Sequence, residues 1–320
     1  MAILGTASGC SSNNAALTLT ASFTKPKVQS TTTVPITSES TETVFASTTS
    51  TIVPIASETK LPILTAQEAE ALIASLSQTN GNCQLPCLWG FTPSVSKIED
   101  FRNFFSQFGQ IDAIPFSSEF SWFNNIGGIT FRTLDSNSKI IGELYHRGER
   151  SIDSLHLYIS GLQFDSKDNS NPNFSKFEYY LLPKILSLYG PPDDVLVGPF
   201  PSDPDRPNEW QPFNVVLFYP NTGFLVEYIM TKYEEGGFFV GCPKQIREFT
   251  LIAWNPKEKK TIKDIARINS TLYGINPDIL DVYYKPVETF SQTPKDFYEM
   301  YRDPNTDICI KVPTELWPYK

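Results

Sequence analysis

The chain has 320 residues, of which 40% are hydrophobic, 19% charged and 13% aromatic, with a formal net charge of −9. That acidic balance argues against nucleic-acid binding, which normally needs a basic stripe, and against a polybasic membrane-surface protein. No apolar stretch approaches the roughly 20 residues that a helix needs to span a bilayer.

The composition is uneven. Residues 11–60 hold 22 Ser or Thr, and their charges cancel, Lys25, Lys27 and Lys60 against Glu39, Glu42 and Glu58. Such a segment cannot bury enough apolar surface to offset its ordering entropy, so residues 11–61 are expected to be a disordered tether. Immediately before it stands Ala7-Ser8-Gly9-Cys10. Small residues directly before a cysteine resemble the cleavage box of bacterial lipoproteins, which implies a lipidated Cys10 as the mature first residue. Only Ala2-Ile3-Leu4 precede the box, without Lys or Arg, so this reading places the true start codon and signal upstream.

The folded part is expected from residue 62. Thr65-Ala66-Gln67-Glu68 reads as a capping box, with Leu72, Ile73 and Leu76 at helical spacing and a stop at Asn80-Gly81. Pro86 and Pro93 exclude a regular element from Cys83 to Pro93 and predict a rigid loop that carries Trp89. Ser96-Lys97-Ile98-Glu99 reads as a second box, followed by Ile98, Phe101, Phe104, Phe105 and Phe108 on one face and a stop at Gly109. Strands are expected at 126–134, 139–147 and 151–160. The last alternates Leu155, Leu157 and Ile159 with Ser154, His156 and Tyr158, which puts His156 on the solvent side.

The pattern then recurs. Ser175-Lys176-Phe177-Glu178 reads as a third box, and Pro183 should kink or split the helix that follows. A Pro/Asp-rich loop spans 198–212. Strands are expected at 214–219 and 223–230 around the turn Pro220-Asn221-Thr222, and another at 248–254. Phe108-Gly109 and Tyr189-Gly190 stand 81 residues apart, each closing a helix that feeds strands. Helices are expected over 261–272 and from Thr293-Pro294 to about Tyr301. The fold class is therefore α+β: a tether, two helix-then-antiparallel-meander repeats over 62–165 and 166–256, and a C-terminal helical extension over 257–320.

Setting Cys10 aside for lipid leaves Cys83, Cys87, Cys242 and Cys309. An even number in an exported chain suggests two disulfides, with Cys83–Cys87 and Cys242–Cys309 favoured among three pairings. Zinc and free buried thiols are the other readings.

The run Cys83-x-Leu-Pro-Cys87-x-Trp89-Gly90-x-Thr92-Pro93, with a later Tyr-Gly-Pro-Pro and a terminal Cys and Leu-Trp, resembles a family of uncharacterised bacterial lipoproteins over about residues 60–320. Ser94 stands where that family usually has Gly. The resemblance implies an extracytoplasmic, lipid-anchored protein and carries no activity. More weakly, the order of helix, Gly and three strands is similar in topology to small outer-membrane-assembly lipoproteins and to tandem-repeat inhibitor folds, and topology does not give function.

No nucleophile elbow, phosphate loop, dinucleotide fingerprint or His-Glu-x-x-His is present. The strand register expected here sets His146 near Ser151 and His156 near Ile141, apart from each other. Asp203, Asp205 and Glu209 are the nearest approach to a cation loop but lack its glycine, and a solvated acidic loop is the plainer reading. Tyr179-Tyr180, Tyr283-Tyr284 and Trp210 are candidates for an aromatic binding face on a glycan or an extracellular protein. No cofactor and no metal is expected. The leading expectation is a surface-anchored, non-catalytic binding domain; the alternatives are an extracytoplasmic hydrolase with dispersed carboxylates and a spacer without a ligand.

Overall fold

The computed structural model describes residues 61–109, 116–123, 126–135, 138–147, 151–162, 174–199, 212–269 and 284–317. The chain divides after Ala56, and all of these residues lie in the second unit. Cys10, the tether, the acidic loop of Asp203, Asp205 and Glu209, Trp210 and Tyr283 lie outside the described residues.

Helix α1 (Ala66–Thr79) starts as the spacing predicts. Thr65 Oγ1 accepts from the Glu68 amide while the Glu68 carboxylate accepts from the Thr65 amide. It ends on Asn80 in the left-handed region, φ 52°. Helix α2 (Ile98–Ser106) differs from the expected cap. Its N-cap is Lys97, without a side-chain bond, and Ser96 Oγ instead accepts from the Thr92 amide. Pro93 and the turn at 92–96 redirect the serine into the loop. The helix after 175, expected to be kinked or split by Pro183, is split into a 3-10 segment (Phe174–Tyr180) and helix α3 (Leu182–Tyr189). Pro183 sits in the first turn of α3, where its missing N–H costs nothing. Ser175 therefore lies inside a 3-10 turn and caps no helix. Helix α4 (Ile262–Asn269) and helix α5 (Pro294–Tyr301) each begin at a Thr whose hydroxyl bonds the amide of an Asp three residues on.

Among the described residues ten strands form one antiparallel sheet: β1 (Phe116–Phe123), β2 (Ile126–Asp135), β3 (Ser138–Arg147), β4 (Ser154–Leu162), β5 (Asp194–Pro199), β6 (Phe213–Tyr219), β7 (Phe224–Glu235), β8 (Phe238–Trp254), β9 (Lys285–Pro286) and β10 (Ile310–Pro313). Their order is β1-β2-β3-β4-β8-β7-β6-β5-β9, with β10 on the far end of β8. Two four-stranded meanders thus meet where β4 pairs β8, Leu157 opposite Leu251. β8 is far longer than the 248–254 expected. Its first half mixes Gly241, Pro243 and charges, which hides the strand pattern.

Because side chains alternate across a strand, register sorts the sheet into two faces. Leu155, Leu157, Ile159, Phe249, Leu251, Val226, Tyr228, Val215 and Leu217 share one face. They pack with the buried residues of α1, α2, α3 and α5 in the main core. Val216, Phe218, Leu225, Ile252 and Trp254 share the other face and pack with Ile265 and Ala266 of α4. Both faces of the central strands are covered, so β6 is buried at every residue. The architecture is α+β, a helical layer on a mixed-length antiparallel sheet.

Candidate functional site

The α4-side face of the sheet also carries polar residues. Ser154, His156 and Ser160 of β4, Thr250 of β8, Glu227 of β7 and Asn214 of β6 all lie on it, and all are buried. Their strands put them there. Glu227 interrupts Phe-Leu-Val-Glu-Tyr-Ile-Met, and Asn214 interrupts a run of apolar residues. A lone charge inside the buried run Phe224–Met230 must be hydrogen-bonded, because an unpaired buried carboxylate is costly.

Glu227 Oε1 accepts from Tyr284 OH at 2.6 Å and from Asn214 Nδ2 at 3.0 Å, and Asn214 Nδ2 also donates to Tyr284 OH at 3.0 Å. Burial pushes the Glu227 carboxyl up to about 7. Glu248 adds to the rise, and the bonds from Tyr284 and Asn214 oppose it. Glu248 lies two residues along β8 from Thr250, the cross-strand neighbour of Glu227. Its carboxylate accepts from Tyr158 OH at 2.7 Å, and burial raises its pKa too. The cluster is therefore a buried acid, Glu227, and a partly buried one, Glu248, each held by a tyrosine hydroxyl.

The histidines fall differently from expectation. His156 is 3% exposed, not solvent-facing, and its Nε2 lies 3.0 Å from Ser154 Oγ. Register sets His146 opposite Leu155 and His156 opposite Tyr145, so they occupy opposite faces. Alternation alone marked the His156 side as solvent, but packing covers both faces here. His146 stands edge-on to Phe101, centroids 4.7 Å apart. Burial, with the nearby Arg102 charge, holds its pKa down at about 4. Among the described residues no three of His, Cys, Asp and Glu gather as a metal site.

Tyr284 is 3% exposed and turned onto Glu227, and Tyr180 is fully buried, so neither belongs to an exposed aromatic face. Tyr180 helps to hold the Cys83–Cys87 loop. Its hydroxyl donates to Asn80 Oδ1 at 2.8 Å and accepts from Trp89 Nε1 at 2.9 Å. Asn80 Nδ2 donates to the carbonyls of Cys83 and Cys87. Both expected disulfides are present, Cys83–Cys87 and Cys242–Cys309, with Cα separations of 5.9 and 4.3 Å. They point to an oxidising, extracytoplasmic compartment. No helix among the described residues is long and apolar enough to cross a membrane.

Open concavities lie elsewhere. A groove of about 410 Å³ runs between the helical wall of Leu181, Pro183 and Lys184 and the opposing wall of Pro243, Lys244, Ile246 and Pro304. Cys242–Cys309 and the Lys244–Asp307 ion pair fix the second wall. A wider hollow of about 550 Å³ lies at the start of α4, beside Asp194, Phe218, Lys260 and Tyr284. Glu227 and Glu248 line neither. No protein-family model matches the chain, and no curated protein or solved structure matches it.

Proposed function

We propose that the chain is a surface-anchored, non-catalytic binding domain. Cys10 carries a lipid, residues 11–61 are the tether, and the α+β domain presents the groove between α3 and the C-terminal segment to a protein or glycan of the cell exterior. The observation that carries this is the separation of chemistry from access. Glu227 is buried and Glu248 partly buried, and neither lines either concavity, whereas the groove is open and combines apolar Phe174, Leu181 and Ile246 with charged Glu178, Lys184 and Lys244. Its volume lies within the ~300–1,000 Å³ of ordinary ligand sites. The two meanders, each preceded by helix and meeting at β4 and β8, support the two-repeat reading. The cysteine loop supports the resemblance to uncharacterised lipoproteins.

Two measurements test it. Expressed from its native locus, the wild-type chain partitions with the membrane, and Cys10→Ser moves it to the soluble fraction; an unchanged partition sinks the anchor. Purified protein co-sediments with isolated cell-wall material or whole cells, and Leu181→Glu with Ile246→Glu abolishes this while the far-ultraviolet dichroism stays constant.

The Glu227–Glu248 pair favours a second reading, an extracytoplasmic hydrolase with dispersed carboxylates. If wall glycans are cleaved, and Glu227→Gln or Glu248→Gln stops the cleavage without loss of folding, the hydrolase replaces the binding domain.

A further inference from the structure

The second wall of the groove includes a segment anchored only at its two ends. Tyr301 of α5 and Ile310 of β10 are buried in the core, and the chain from Arg302 to Cys309 runs between them. Arg302, Asp303, Pro304, Asn305, Asp307 and Ile308 are exposed. The Asn305 and Thr306 amides bond back to Asp303, within the segment itself. Among the described residues, two links tie it across to β8: the Cys242–Cys309 disulfide and the Lys244–Asp307 ion pair. Both side chains of the ion pair are more than half exposed, so the pair holds little. The disulfide is the effective clasp, and the groove depends on it. Cys242 is followed directly by Pro243 and Lys244, and Cys309 stands three residues after Thr306; those three residues, with Pro304, line the groove.

We propose that Cys242–Cys309 is a thiol–disulfide exchange site for a dithiol, and that its reduction frees residues 302–309 and opens the groove; the consequence for binding rests on the groove being the binding surface. Tyr233 assists the exchange. It is 40% exposed, and its hydroxyl lies 3.3 Å from Cys242 Sγ and 3.8 Å from Cys309 Sγ. Disulfide sulfurs carry no hydrogen, so the hydroxyl is the donor in both contacts. Cys309 is half-buried and Cys242 buried, which directs an incoming thiolate to Cys309. The attacking sulfur bonds to Cys309 Sγ, the Cys242–Cys309 bond breaks, and Cys242 leaves as a thiolate that accepts from the Tyr233 hydroxyl. A better-stabilised leaving thiolate departs faster. The reductant's second thiolate then attacks its own sulfur in the mixed disulfide and expels Cys309. Two electrons pass to the protein, the dithiol becomes a disulfide, and its two protons end on Cys242 and Cys309.

Dithiothreitol is the probe, applied to the full chain without denaturant, followed by acid quench, alkylation and mass spectrometry of the cysteine peptides. Cys242 and Cys309 are expected to become alkylated while the far-ultraviolet dichroism stays constant. Tyr233→Phe keeps the wild-type melting temperature and slows this reduction roughly tenfold, the weight of one hydrogen bond to a charged group. With reduced glutathione, a monothiol, the trapped mixed disulfide is expected on Cys309; this readout needs no variant, and attachment at Cys242 instead overturns the assignment. Cleavage by an Asp-specific protease at Asp303 and Asp307 rises several-fold on reduction, which reports the opening without any ligand. Reduced protein loses its co-sedimentation with wall material, and reoxidation restores it. Should the oxidised protein fail to co-sediment, the groove reading falls, and the cleavage rate still decides the opening. A pair that resists dithiothreitol until the domain unfolds overturns the proposal. So does an unchanged reduction rate in Tyr233→Phe, a cleavage rate that ignores the disulfide, or equal co-sedimentation of oxidised and reduced protein.

Discussion

Asn80 shows how much one side chain can hold. It ends α1 in a left-handed conformation that Asn tolerates and most residues do not. Its amide nitrogen bonds the Cys83 and Cys87 carbonyls at 2.9 and 2.8 Å. Its oxygen accepts from the Trp89 amide at 3.2 Å and from Tyr180 OH at 2.8 Å. The residue is fully buried, so none of these groups can turn to water instead. Asn80→Ala removes four bonds worth about 1 kcal/mol each and leaves polar groups stranded, for an expected cost of about 4 kcal/mol. Tyr180→Phe breaks only two of the contacts in this knot and should cost about 2 kcal/mol. Urea denaturation of both variants checks the ranking; equal or negligible losses would mean that water replaces the knot. The sequence marks Asn80 as a helix stop. It does not reveal the knot, because the partners come from residues 83–89 and from 180, about a hundred positions away.

At the scale of elements, the two disulfides have the same chemistry and different weights. Cys83 and Cys87 are four residues apart, Cys242 and Cys309 sixty-seven. Chain entropy lost from the unfolded state grows with the logarithm of the closed loop, giving about 2 kcal/mol for the first and about 4 kcal/mol for the second. Cys242→Ser with Cys309→Ser should therefore lower the urea midpoint about twice as far as Cys83→Ser with Cys87→Ser. The larger effect should come with early loss of β10, which hydrogen exchange detects at Ile310–Pro313. Reversed magnitudes would show that the small loop is held in the native state by more than its closure, through Asn80 and Tyr189. Elements whose signals are local were legible beforehand. Three Thr-initiated helices start where their caps stand, and β2, β3, β6 and β7 begin within three residues of expectation. The Ser96 box failed because Thr92 competes for the same hydroxyl. The burial of His156 was invisible because alternation reports two faces without saying what covers either.

At the scale of the whole molecule the β4–β8 seam joins both meanders into one sheet, and Phe249 of β8 touches Phe174, Phe177, Tyr180 and Tyr228 in the core beneath it. Sequence order could not supply that seam, since β4 and β8 are separated by the whole second meander. Nor could it place Glu227 beside Tyr284, which depends on the strand order and on the segment after α4. These long-range placements leave two buried titratable groups with opposite effects on stability. His146 has its pKa lowered from 6.5 to about 4. The folded state then binds fewer protons than the unfolded one, and stability falls as pH drops from about 6.5 to 4. Glu227 has its pKa raised from 4.5 to about 7. The folded state then binds more protons, and stability falls as pH rises from about 4.5 to 7. Each limb is worth about 3 kcal/mol at one pKa unit per 1.36 kcal/mol. Between pH 4.5 and 6.5 the two slopes oppose each other, so these groups together leave the wild-type curve nearly flat there. Glu227→Gln should expose the His146 limb, with stability declining toward acid. His146→Phe, which fills the same space against Phe101, should expose the Glu227 limb, with stability declining toward neutrality. Chemical denaturation at half-unit steps from pH 4 to 8 distinguishes them. If both variants stay flat, the two groups titrate alike in folded and unfolded chains, and the burial of the Glu227 cluster does not control its proton.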